Sequence, residues 1–305
     1  MVRFRPRASG VIGSRAGFRF PCPQDVGVRV PARPLVSGTD RPAIRLTAVV
    51  RELATFTAKQ ARAAVFGIFL LTAATILGPC YDLLLGLCVA FQAFLLITKR
   101  EGGREFLGIF LFHAIGLSLE LYKVRTGSWR YAGEGWKLGG VPPVTGFMYA
   151  AVAGYAMRAA RSLDLRFPGW PSPAAVAATI LAVAMAFTWH PGGADLRPVT
   201  LLVVAATFFR TRAEFSVLPE RRRSMPMLAS FALIAFFVWI GENWGTAVDL
   251  WRYPDQENGW RPVSPSKWLS WTLLMAVALG LAIPFSVARR SMPQKTSPKT
   301  AEPVV

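Results

Sequence analysis

Between about residue 63 and residue 288 the sequence alternates apolar blocks of roughly 15 to 20 residues with short charged gaps. A bilayer core of about 30 Å is crossed by about 20 apolar helical residues. A helix also satisfies its own backbone hydrogen bonds, which lipid cannot do for it. The blocks therefore predict an all-α fold, a polytopic membrane helix bundle of about eight transmembrane helices. They run over 63–78, 83–98, 106–122, 144–160, 174–189, 198 to between 209 and 215, 226–246 and 268–288. The sixth is cut short by Arg210 and Arg212, which can snorkel to the interface. A hydrophobic content of 53% and a mean hydropathy of +0.37 agree with this reading.

The net charge of +18 would suggest nucleic acid in a soluble chain. Here the bases collect in the tails and in alternate gaps, where topology and anionic headgroups use them. Membrane lipids are the expected partners, and nucleic acid is not. Lys99, Arg100 and Arg104, then Arg158, Arg161 and Arg166, then Arg210, Arg212 and Arg221 to Arg223 fall in one set of loops. The positive-inside rule puts that set and both termini in the cytoplasm.

Residues 1–50 are Arg-rich, with interspersed Pro and Gly, and read as a disordered basic extension. An amphipathic helix is expected over 46–62. The membrane domain is expected over 51–290 and a disordered tail over 291–305. Cys22, Cys80 and Cys88 are too scattered for a disulfide framework. His113 and His190 are too few for a histidine metal site, and neither metal nor cofactor is expected. The sequence leaves the oligomeric state open.

One element recurs. Glu120 is followed nine residues later by Trp129-Arg130-Tyr131, and Glu242 nine residues later by Trp251-Arg252-Tyr253. A second tryptophan follows in each loop, Trp136 and Trp260. Each loop then enters the next block through proline, at Pro142-Pro143 and at Pro262 and Pro265. The offset of 122 residues is about the length of four spans with their loops. A 4+4 tandem repeat follows, with repeat one at about 63–160 and repeat two at about 174–288. An even number of spans per unit makes the repeats parallel.

Glu120 stands about 14 residues into its block, roughly 21 Å along it at 1.5 Å per residue. His113 is two turns earlier on the same face. Glu242 and Asn243 occupy the matching depth in the seventh block. Ionisable groups at membrane depth usually face the bundle interior or a wet cavity. Glu120, Glu242 and His113 are therefore the candidate catalytic residues. Trp129, Tyr131, Trp136, Asn243, Trp251, Tyr253 and Trp260 are the candidate substrate-binding residues. Aromatic belts sit at any membrane interface, but a belt needs no fixed spacing. Lys123 follows Glu120 by three residues, so an ion pair is the competing arrangement.

From about residue 51 to 288 the chain resembles the bacterial domain of unknown function 817 family. The matching stretches include Phe112-His-Ala-Ile-Gly, Leu119-Glu-Leu-Tyr-Lys, Gly127-Ser-Trp-Arg-Tyr, Ile240-Gly-Glu-Asn-Trp and Lys267-Trp-Leu-Ser-Trp. The resemblance implies a multi-pass protein of the bacterial cytoplasmic (inner) membrane and implies no activity. A weaker likeness links Thr126-Gly-Ser-Trp-Arg-Tyr and Leu138-Gly-Gly-Val-Pro to membrane carotenoid hydratases and small lycopene cyclases. In the cyclases paired acids follow the Val-Pro; here Pro143-Val144-Thr145 follows. That likeness implies a carboxylic acid kept protonated in an apolar pocket and a shielded cation. The reading is a membrane enzyme doing acid-type chemistry on an isoprenoid or other lipid-soluble substrate at an outer-face site. The alternatives are a secondary transporter of a small solute, or a structural or assembly membrane protein.

Reporter fusions after Arg104, Arg161 and Arg223 are expected to read cytoplasmic. A periplasmic reading at any of the three breaks the eight-span topology.

Overall fold

The computed structural model describes residues 41–189, 194–219 and 221–282. Residues 1–40, Cys22, His190, the 291–305 tail and the last six residues of the second expected repeat lie outside the described residues.

The described chain is mostly helical. α1 (Arg41–Ala63) and α2 (Val65–Leu77) form a pair bent by 69° at Ala64. α3 (Tyr81–Ile97), α4 (Gly103–Arg125), α5 (Thr145–Ser162), α6 (Pro173–Thr188) and α7 (Arg197–Phe208) follow. After a hairpin come α8 (Met227–Ala247) and α9 (Ser266–Ala282). Every expected block contains a helix. Their lengths differ, however. α4 with 23 residues and α8 with 21 are long and apolar enough to cross a membrane, and the bent pair α1–α2 adds a third only if its two helices are counted as one span. α3, α6, α7 and α9 are apolar but have 12 to 17 residues.

Local chemistry sets several of these boundaries. α6 starts where the Ser172 side chain accepts from the Ala175 N–H, with Pro173 in the first turn. α4 starts where the Glu105 carboxylate accepts from the Gly102 N–H at 3.2 Å. The sixth block departs from expectation. α7 stops at Phe208, and β1 (Arg212–Leu218) pairs antiparallel with β2 (Arg221–Pro226). The reason is the period: Ala213, Phe215 and Val217 alternate with Arg212, Glu214 and Ser216, which suits a strand with one buried face. Ala213 and Val217 are indeed buried.

α4 packs along α5, and α8 along α9. α2 packs on α3 and α5, and α6 on α7 and α9. α5 meets α9, and α2 meets α8. One apolar core includes Met157, Val183, Phe208, Phe231 and Leu273. The other joins Phe66, Leu84 and Cys88 to loop residues Tyr131, Trp251 and Tyr253. Tyr81 fastens the loops after α4 and α8: its hydroxyl donates to the Leu250 carbonyl at 2.8 Å and accepts from the Gly133 N–H at 3.1 Å. Gly139 and Gly140, at φ 56° and 84°, form a two-residue turn closed by reciprocal Leu138–Val141 bonds.

The opposite ends of the helices carry a buried ionic cluster. The Glu101 carboxylate pairs with Arg158 and accepts from Gln92 Nε2 at 2.6 Å. Arg158 Nε donates to the Ala63 carbonyl at 2.8 Å, at the break between α1 and α2. Arg161 pairs with Glu105. Two residues that read as topology-setting bases are thus internal cross-links between α5 and the α3–α4 turn.

Removing one partner of a buried pair leaves an uncompensated charge, at about 3–5 kcal/mol. Arg158→Ala is expected to lower unfolding stability in neutral detergent by that order. The double change Arg158→Met with Glu101→Gln should lose markedly less. Equal losses would mean that the pair is not coupled.

Candidate functional site

Glu120 and Glu242 are both buried, at 2% and 7% exposure, in the last turns of α4 and α8. Both line one cavity of about 1080 Å³. The two carboxyls are held in the same manner. Glu120 Oε2 accepts from Trp129 Nε1 at 2.7 Å and from the Tyr131 hydroxyl at 2.6 Å. Its Oε1 bonds the Tyr149 hydroxyl at 2.8 Å. Glu242 Oε1 bonds the Tyr253 hydroxyl, and its Oε2 accepts from Trp271 Nε1 at 2.9 Å. Tyr131 and Tyr253 each follow their glutamate by 11 residues, and Tyr149 and Trp271 by 29.

The two Trp-Arg-Tyr loops meet. Arg130 and Arg252 exchange backbone hydrogen bonds of 3.0 and 2.9 Å. Trp129 packs edge-on to Tyr253 with ring centroids 5.9 Å apart, and Tyr149 lies 6.0 Å from Trp271. The arginine side chains turn away from the carboxyls: Arg130 reaches Glu257 at 3.2 Å, and Arg252 pairs with Asp249. That hydrogen bond holds the Asp249 carboxyl below its ordinary range. Burial, and then the neighbouring carboxylates, push the Tyr131 and Tyr253 phenols well above theirs. Among the described residues no base forms a salt bridge with Glu120 or Glu242, so the expected competitor, Lys123, is not paired with Glu120.

Of the residues singled out from sequence, Glu120, Glu242, Trp129, Tyr131, Trp251 and Tyr253 line the cavity. Trp251 does not repeat the bond of Trp129; its ring covers Gly245, where an added Cβ would lie 2.4 Å from it. The other four lie elsewhere. His113 packs edge-on to Phe147 at 4.6 Å, against the backbone of Gly146, and its Nδ1 has no hydrogen-bond partner among the described residues. Asn243 bridges the Trp239 carbonyl and the Val263 N–H, tying α8 to the loop before α9. Trp136 is 60% exposed. Trp260 donates from Nε1 to Thr246 Oγ1 at 3.1 Å. Tyr149 and Trp271, not His113 or Asn243, complete the bonding of the two carboxyls. The offset of 122 residues that relates the two glutamates also relates this aromatic pair, and it was the signal that would have found them.

A family model described as "Protein of unknown function (DUF817)" matches residues 52–279, from α1 into α9, and takes in both carboxyls with all their donors. The chain belongs to the DUF817 family. It is 39% identical over 218 residues to the uncharacterized protein YoaT of Bacillus subtilis (strain 168), covering 71% of this chain and 82% of that protein. No solved structure matches. The DUF817 region thus contains the site whole.

Gly116 is where α4 admits the Tyr149 ring. A Cβ there would lie 2.4 Å from Tyr149 Cγ. Gly116→Ala is therefore expected to cost about 1–3 kcal/mol by overpacking and to detach Tyr149 from Glu120. Tyr149→Phe should lose the hydrogen bond without the clash. A Gly116→Ala protein as stable as wild type would show that α5 yields easily.

Proposed function

We propose that this DUF817 protein is a membrane enzyme that binds an elongated lipid-soluble molecule, isoprenoid or similar, along its cavity and transfers a proton at one end of it. The observation that carries this reading is the pair of buried carboxyls, in no salt bridge with a base among the described residues, in a cavity whose lining is largely apolar. Leu70, Leu71, Val152, Ile234, Phe237 and Leu274 are among the walls beyond them.

The donor arrangement limits where a carboxyl proton can sit. An indole N–H only donates, so Oε2 of each glutamate must accept. A proton on Glu242 Oε1 faces the Tyr253 hydroxyl, and one on Glu120 faces Tyr149 from Oε1 or Tyr131 from Oε2. Each phenol can pass that proton on to a double bond and be refilled by the carboxyl behind it. The faces of Trp129, Tyr253 and Trp271 would shield the resulting cation. Return of the proton after addition of water or ring closure completes the cycle.

The same reading takes the chain as a 4+4 duplication of eight spans in the cytoplasmic (inner) membrane, with both ends inside. Its support is the packing scheme, in which α2–α3, α2–α5 and α4–α5 have counterparts in α6–α7, α6–α9 and α8–α9. Residues 122 apart also touch one another, Arg130 with Arg252 and Tyr149 with Trp271. A residue meets its own counterpart only close to a twofold axis. The membrane domain is taken as 51–290.

One observation favours a second reading, a carrier. The cavity also reaches Gln60 and Tyr155, which bond each other at 2.8 Å toward the opposite ends of their helices. A path through the molecule would use both ends.

Lipids extracted from purified wild type, Glu120→Gln and Glu242→Gln proteins and compared by mass spectrometry separate these readings. General acid–base groups contribute about 10²–10⁴-fold, so at least one Gln variant should retain a precursor lighter by one water or differing only in retention. Identical lipid profiles in all three proteins would overturn the enzyme. Loss of gradient-driven solute uptake with an unchanged lipid profile would favour the carrier.

A further inference from the structure

Two lysines of the cavity have no part in the acid chemistry. Lys123 stands one turn beyond Glu120 on α4, and Lys267 opens α9. Both line the cavity, as do Arg197 at the start of α7 and Asp195. Lys267 Nζ lies 4.2 Å from the Tyr253 ring centroid and 5.1 Å from that of Trp129. Lys123 Nζ lies 5.6 Å from the Phe187 ring and 5.8 Å from that of Tyr122. Among the described residues neither ammonium has a carboxylate within salt-bridge distance, although each of them lies on the wall that holds two. Arg197 is already committed: it grips Asp195 with two bonds of 2.8 Å and reaches Ser270 Oγ at 2.8 Å. Lys123 is repelled by Lys267 and Arg197, while Lys267 is drawn by the Glu242 carboxylate and repelled by Arg197.

Among the described residues neither carboxyl forms a direct salt bridge with these cations, because their oxygens take aromatic donors. Glu120 has all three of its bonds from Trp129, Tyr131 and Tyr149, and Glu242 has two, from Tyr253 and Trp271. An ammonium in a half-buried position gains only part of what water offers from a ring face. A ligand that brought its own negative charge would supply the rest.

We propose that Lys123 and Lys267 form an anion subsite in the wall of the cavity, and that the molecule bound there is an amphiphile with a phosphate or carboxylate head and an apolar chain. The inference rests on the cavity reading above and narrows its substrate class to acidic lipids. Arg197, fixed by Asp195 and Ser270, sets the rim of the subsite and adds to its field. The head lies beside the two glutamates, so the bonds nearest the head are those the carboxyl protons can reach. The chain runs toward Leu274, Ile234 and Leu71. With a carboxyl in its protonated form, the anion also balances the lysine charge that the carboxyl no longer meets.

The full-length protein in neutral detergent can be offered dodecyl phosphate, dodecanoate and dodecanol together, and the retained molecules counted by native mass spectrometry. Wild type is expected to retain one or both anions over the alcohol by at least about tenfold. The two anionic probes tell phosphate from carboxylate. Lys267→Met and Lys123→Met should lose that preference, and Lys267→Arg, which keeps the charge, should keep it. A thermal transition measured on each variant shows that it is folded. Equal retention of dodecanol and the anions, or an undiminished preference in a folded Lys267→Met, would overturn the subsite and leave the cavity reading standing. Retention of none of the three would overturn both. Unchanged lipid profiles in the glutamate variants alongside a lysine-dependent anion preference would remove the enzyme and keep the subsite.

Discussion

A carboxyl taken out of water costs several kcal/mol unless other donors replace the hydration it loses. Glu120 and Glu242 are supplied by five aromatic side chains, two of them indoles and three phenols. Much of the architecture follows from that supply. Trp129, Tyr131 and Tyr253 come from loops, so the loops must fold back over the helix ends. Tyr149 and Trp271 come from the next helices, so α5 must lie along α4 and α9 along α8. Gly116 is bare because Tyr149 needs its place. The backbone pairing of Arg130 with Arg252 then joins the two loops.

Much of this was legible in the sequence, for reasons that can be traced. Apolar block length marked each helix, because a helix that must be apolar along its length cannot hide its ends. The recurrence of Glu, Trp, Arg and Tyr at fixed spacing pointed to both carboxyls and to the loop aromatics. Tyr149 and Trp271 were missed because they differ in type, although they stand at the same offset. His113 and Asn243 were singled out because polar groups at depth are conspicuous. Sequence does not say which way a helix turns them, and they face Phe147 and Val263 instead. The hairpin at 212–226 hid behind the apolar tail of its block, where a period of two is short and easily read as a fraying helix. Arg158 and Arg161 counted as loop charges because their partners, Glu101 and Glu105, lie about 57 residues away in the chain.

Membership of the DUF817 family covers the whole of this arrangement and adds no chemistry to it. What distinguishes the site is that, among the described residues, its acids and its bases form no direct salt bridge although they line one cavity. The arginines of the Trp-Arg-Tyr loops go outward to Glu257 and Asp249. The lysines rest against ring faces. A fold that merely needed to neutralise two buried acids would have joined these groups.

The indole bonds have an optical consequence. The chain holds ten tryptophans, and two of them, Trp129 and Trp271, donate directly to the carboxyls. Trp136, Trp244, Trp260 and Trp268 are largely exposed and report only on their surroundings at the periphery. The emission energy of an indole follows the electric field along its ring, and a charge appearing or vanishing one hydrogen bond away changes that field sharply. The protein therefore contains its own pair of reporters, one for each glutamate, whose colour follows the gain and loss of a proton without any added dye.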